Sequence, residues 1–149
     1  MRKRESQKGF TLIEMLIVIA IVGILSSLVL VGLGPVQRQG RDARRISDLR
    51  QVQTALELYY AKNGNYPRVT TWQSLKDELT RTEGGGIGVK KIPDDPTSGR
   101  FYKYGVSADG GSYTLGAELE DVNNPNLDSS SHGVLNGVSC DKPVYCLEF

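Results

Sequence analysis

One histidine, His132, and two cysteines, Cys140 and Cys146, are all the imidazole and thiolate ligands that this chain offers a structural zinc. A closed zinc site takes four nitrogen or sulfur ligands, so the set falls short. The cysteines are not spaced as Cys-x-x-Cys, the usual form of a redox pair. No Ser/His/Asp set, paired general acid and base, or metal triad stands out, and the chain is not expected to be an enzyme. Gly84-Gly85-Gly86-Ile87-Gly88 has no Gly-Lys-Ser/Thr after it and completes no dinucleotide fingerprint, so a mobile loop is expected there, not a phosphate cradle. Charge of neither sign dominates: 18 Lys and Arg against 17 Asp and Glu give a net +1, and gross electrostatics selects no partner.

Charge is also nearly missing from residues 10–33, where Glu14 is the one charged residue and Thr11, Ser26 and Ser27 are the only other polar side chains. As a helix this run is roughly 36 Å long, enough for a hydrocarbon core of about 30 Å, and a transmembrane helix is expected. A secretory signal peptide would end in a small-residue cleavage site such as Ala-x-Ala. The far end here reads Val31-Gly32-Leu33-Gly34-Pro35, while a short basic stretch, Met1 through Gly9, precedes the run and places a lone glycine at the polar-to-apolar junction. A carboxylate near mid-membrane costs about 2.5–3.5 kcal/mol on insertion scales. Hydration of Glu14 near the interface would explain why it is tolerated, but not why it is there.

Lys8-Gly9-Phe10-Thr11-Leu12-Ile13-Glu14 resembles the leader junction of type IV pilins and type II secretion pseudopilins. The resemblance implies cleavage between Gly9 and Phe10 by a prepilin peptidase, N-methylation of Phe10, and a helical filament in which Glu14 faces the Phe10 amine of a neighbouring subunit. A buried carboxylate is tolerable beside an opposite charge held in low dielectric. Further partners implied are an inner-membrane assembly platform and minor pilins. The implied location is a single-pass inner-membrane protein whose head is periplasmic or extracellular. Tyr59-Tyr60-Ala61-Lys62-Asn63-Gly64-Asn65-Tyr66-Pro67 and Ile92-Pro93-Asp94-Asp95-Pro96 resemble the helix end and following loop of major pseudopilins, which usually continue with Trp-Gly where this chain has Thr97-Ser98-Gly99. The cysteine pair is more typical of type IV pilins.

The expected organisation is a leader over 1–9, a transmembrane and assembly helix over 10–34, the amphipathic half of the same long helix over 35–66, and a globular head over 67–149. The fold class is α+β and pilin-like, a long N-terminal helix packed on a small antiparallel β-sheet. Gly32, Gly34 and Pro35 should weaken the helix. Beyond them Ile46, Leu49, Val52, Leu56 and Tyr59 recur at three- and four-residue steps, Arg44 and Asp48 are spaced for a helical ion pair, and Asn63-Gly64-Asn65 is a stop. In the head, Thr70-x-x-Gln73 resembles a capping box ahead of Trp72, Leu75 and Leu79. Residues 101–106 and 112–119 alternate as strands around Asp109-Gly110-Gly111, with Tyr113, Leu115, Ala117 and Leu119 toward the helix, and 144–147 offer a third strand. Cys140 and Cys146 fit a structural disulfide in an oxidising compartment, with two free thiols as the alternative.

Asp121, Asn123, Asn124, Asn126 and Asp128 crowd one loop, where major pseudopilins place a calcium site. Oxygen ligands suit Ca²⁺, but Asn and Asp also gather in turns for their own reasons, and the plain loop is preferred to calcium or any other cofactor. Arg38, Arg41, Arg44 and Arg45 would hold their end in the cytoplasm by the positive-inside rule; the leader and the cysteine pair point the other way. Read as a stripe they suggest DNA, but without interleaved aromatics a solvated face or ion pairs with neighbouring subunits are favoured. Function therefore reads as a structural filament subunit. The alternatives are a DNA-uptake pilin and a monomeric membrane-anchored binding module, which would need neither Gly9-Phe10 nor Glu14.

Overall fold

Helix α1, Leu12–Asn63, runs for 52 residues with Pro35 inside it. The computed structural model describes residues 9–149, with the side chains of residues 28–33 outside the description. The weakening expected around Pro35 does not interrupt α1, because one missing N–H is a local cost that long helical stretches on both sides absorb. Two compact units are formed, one up to Gln37 and one of Arg38–Phe149.

In the first unit every residue from 9 to 27 is exposed. Among the described residues no helix is long and apolar enough to cross a membrane. The described side chains of the apolar run stop at Ser27, and 28–33, which complete the expected span, lie outside them, as does the expected leader apart from Gly9.

In the second unit the chain has the expected α+β order. Ile46, Leu49, Val52, Leu56 and Tyr59 of α1 are all buried. The helix stops where Gly64 takes a positive φ of 73° and its N–H donates to the Tyr60 carbonyl at 2.8 Å. Helix α2, Trp72–Thr80, buries Trp72, Leu75 and Leu79. Its cap is Thr71, not Thr70: Thr71 Oγ1 accepts the Ser74 N–H at 3.1 Å, while Gln73 donates forward to Asp77. Burying Trp72 as the first helical residue sets that register.

Strands β1 (Lys103–Val106), β2 (Tyr113–Glu118) and a C-terminal strand (Val144–Glu148) form an antiparallel sheet with β2 in the centre. Tyr104 pairs with Leu115, and Ala117 with Tyr145; these residues and Tyr113 join α1 and α2 in one core. A hairpin that the sequence reading did not anticipate covers the opposite face. Its strands, β3 (Val134–Leu135) and β4 (Val138–Ser139), make the C-terminal strand β5. Asn136 and Gly137 both take positive φ, 49° and 83°, as the two central residues of a tight hairpin do. The hairpin sits close because β1 and β2 offer no side chain beneath it: a Cβ on Gly105 would lie 2.1 Å from the Asn136 carbonyl oxygen, and one on Gly116 3.1 Å from Val138. Val138, Val144 and the bonded Cys140–Cys146 pair form a second small core. The glycine loop, expected to be mobile, is tied to the end of α1, with Lys62 Nζ donating to Gly86 O and Asn63 Nδ2 to Gly85 O.

Candidate functional site

The chain enters α1 through a reciprocal cap. Thr11 Oγ1 accepts the Glu14 N–H at 3.3 Å, and Glu14 Oε2 accepts both the Thr11 N–H and its hydroxyl at 2.7 Å. This is the Ser/Thr-x-x-Glu capping box, which satisfies two of the backbone donors that a helix start leaves open. Gly9 and Phe10 stand just outside it, non-helical and exposed, Phe10 by 82%. The Gly9–Phe10 peptide bond thus lies on exposed backbone, two residues ahead of the helix start. Thr11 joins Glu14 at this site, and Thr11-x-x-Glu14 carries in the sequence the same capping-box signature as Thr70-x-x-Gln73.

A second constellation holds α1 in the Arg38–Phe149 unit. Arg45 is fully buried and uses every guanidinium N–H. Nε and Nη2 fork onto Asp95 at 2.7 and 2.9 Å, Nη1 donates to Asp42 at 2.8 Å and Glu120 at 2.9 Å, and Nη2 also reaches Thr97 at 2.9 Å. Arg41 forks onto Glu120 at 2.7 and 2.6 Å. Asp42 also accepts the Glu120 and Asp121 N–H groups, each at 2.9 Å. The Arg41 hydrogen bonds, with help from Arg45, hold the Glu120 carboxyl at about 2, well below its ordinary 4.5. Burial pushes Asp95 up, but Arg45 and the Thr97 amide outweigh it and the net shift is downward. Of the arginine stripe, Arg45 is buried, Arg41 is paired, and Arg44 meets Asp48 at 3.7 Å as expected, while Arg38 and Arg44 stay exposed. Asp95 takes the fork of Arg45, and Asp94 pairs at the surface with Lys76.

Cys140 and Cys146 are bonded to each other. The residues considered for calcium are engaged in local hydrogen bonds and an ion pair. Asp121 Oδ1 accepts the Asn123 N–H at 3.0 Å, and Asn124 Oδ1 accepts both the N–H and Nδ2 of Asn126 at 3.0 and 2.9 Å. Asp128 is paired with Lys142. Among the described residues no three carboxylate, histidine or cysteine side chains are grouped to hold a metal ion. Calcium takes six to eight oxygens, and a set spent on turn caps with an ammonium on one carboxylate does not fit it.

Residues 4–30 match the family model of the prokaryotic N-terminal methylation motif. Over 130 residues the chain is 35% identical to the type II secretion system core protein G of Vibrio cholerae, covering 79% of this chain and 86% of that protein. It is 33% identical over 144 residues to the protein of the same name from Aeromonas hydrophila, with 85% and 97% covered, and 32% identical over 123 residues to that of Escherichia coli, with 77% and 83% covered. No solved structure matches the chain.

Proposed function

Since the chain belongs to the type II secretion system core protein G family, we propose that it is a structural pseudopilin subunit, cut after Gly9 by a prepilin peptidase and assembled into a filament through its N-terminal helix. The observation that carries this reading is the exposed Gly9–Phe10 bond ahead of the Thr11/Glu14 cap. Cleavage there would leave the new Phe10 amine two residues ahead of a helix whose third residue is a carboxylate. In a lone subunit that carboxylate is satisfied by Thr11. In a bundle of such helices it can meet the methylated Phe10 amine of a neighbour, in a medium that screens poorly. The apolar surface from Leu12 to Leu25, all exposed, is what a bilayer covers before assembly and other subunits cover after it. Family membership makes the protein a membrane-associated secretion component with a structural role. The finer reading adds a single crossing over residues 10–33, a head outside the cytoplasmic membrane, an assembly platform, and minor subunits. The disulfide supports an oxidising compartment for the head. The secretion relatives favour a pseudopilus over a DNA-uptake fibre, and the pairing of Arg41 with Glu120 and of Arg45 with Asp95 takes two of the four arginines out of the basic stripe that DNA would need.

Mass spectrometry of the protein from membranes tests the reading, with a chain beginning at N-methyl-Phe10 as the expected result. Gly9→Leu should leave only the precursor, still in the membrane. A chain starting at Met1 in cells that carry the peptidase would refute the proposal and favour an anchored monomer.

A further inference from the structure

The 121–128 loop has the composition of a cation site, but its oxygens are engaged within the chain and what holds it lies elsewhere. Its entrance is fixed by the buried Asp42 carboxylate, which accepts the Glu120 and Asp121 N–H groups. Its middle is fixed by Leu127, fully buried in the main core. Its exit meets the five-residue ring closed by Cys140–Cys146, and that ring brackets the loop on three sides. Pro143 O accepts the Leu119 N–H at 2.9 Å before the loop, Lys142 Nζ donates to Asp128 within it, and Asp141 Oδ1 accepts the Gly133 N–H at 3.3 Å after it. Cys140 N–H adds a bond to Gly133 O at 2.7 Å.

We infer that this chain staples its 121–128 loop with its own cation, the Lys142 ammonium presented by the disulfide ring, and needs no divalent metal ion there. The ring makes this workable. A lone exposed ion pair is worth little, because two flexible side chains must be held together. Here the backbone carrying Lys142 is already fixed at both ends by the disulfide and by the Leu119 and Gly133 hydrogen bonds. A divalent ion placed at Asp128 would have to compete with that ammonium for the carboxylate.

The test is amide hydrogen exchange and thermal unfolding of the full chain in detergent micelles, in chelator and in millimolar calcium chloride. Exchange at 120–132 and the melting midpoint should be the same in both. Lys142→Gln should speed exchange of the loop amides about threefold, the size of one exposed ion pair, with or without calcium. The double variant Cys140→Ser/Cys146→Ser should speed it further and lower the midpoint. A calcium-dependent rise in the wild-type midpoint or in loop protection would overturn the inference, as would a Lys142→Gln loop that exchanges like the wild type. Neither outcome bears on leader cleavage or filament assembly, so this inference and the proposed function fail separately.

Discussion

Arg45 shows what one residue of helix α1 controls. Its five N–H groups bind three carboxylates and a hydroxyl, from the helix itself and from two loops far along the chain. Arg45→Ala would leave Asp42 and Asp95 buried without their counter-charge, and should destabilise the head by about 3–5 kcal/mol in denaturant unfolding. Arg45→Lys keeps the charge but not the fork, so its loss should be smaller yet clearly measurable. Glu120 makes the same cluster sensitive to acid. Its carboxyl is lowered from 4.5 to about 2, so the unfolded chain binds the proton first. The stability that this supplies, about 3 kcal/mol at most, is complete above pH 4.5 and drains away as pH falls toward 2. Unfolding followed from pH 6 to pH 2 should show that slope, and Glu120→Gln should flatten it. None of this was legible in the sequence. Spacing could pair Arg44 with Asp48, but it could not join Arg45 to Asp95 and Glu120, because only the folded chain makes them neighbours. Thr11 differs: its cap to Glu14 is local, and the signature was there to be read.

At the scale of elements, what periodicity governs came out as expected. The apolar steps of α1, the buried face of α2, the two strands about Asp109-Gly110-Gly111 and the third at Val144 all follow from which face must be covered. The β3–β4 hairpin escaped because its strands are two residues each, too short for alternation to register. Asn136-Gly137 was the one signal it gave. Its seat depends on the bare backbones of Gly105 and Gly116. Gly105→Ala should therefore push the hairpin from the sheet, at about 1–3 kcal/mol in thermal unfolding. Gly40→Ala is the counterpart: it lies within α1, exposed, with nothing within 4 Å of an added Cβ. That change should stabilise by about 0.5–1 kcal/mol, through helix propensity alone.

For the molecule as a whole, the proposed assembly turns on Glu14. Glu14→Ala should leave leader removal and membrane residence intact, since the run only becomes more apolar, while filament yield falls sharply. Glu14→Gln keeps the shape and loses the charge, separating attraction from packing. Electron microscopy beside membrane-fraction immunoblots reads both, and normal filaments from both variants would remove Glu14 from the mechanism. The sheet imposes a further condition, one of timing. Its central strand, β2, is flanked by β1 and by β5, which ends at Glu148, and Phe149 exchanges two backbone hydrogen bonds with Tyr113 while stacking on its ring. The strand β5, made after β1 and β2, is thus the one that completes the sheet and brings Cys146 to Cys140. A chain halted before β5 would carry β2 with one edge open and Cys140 without its partner, so the head can close only once this late segment has been synthesised.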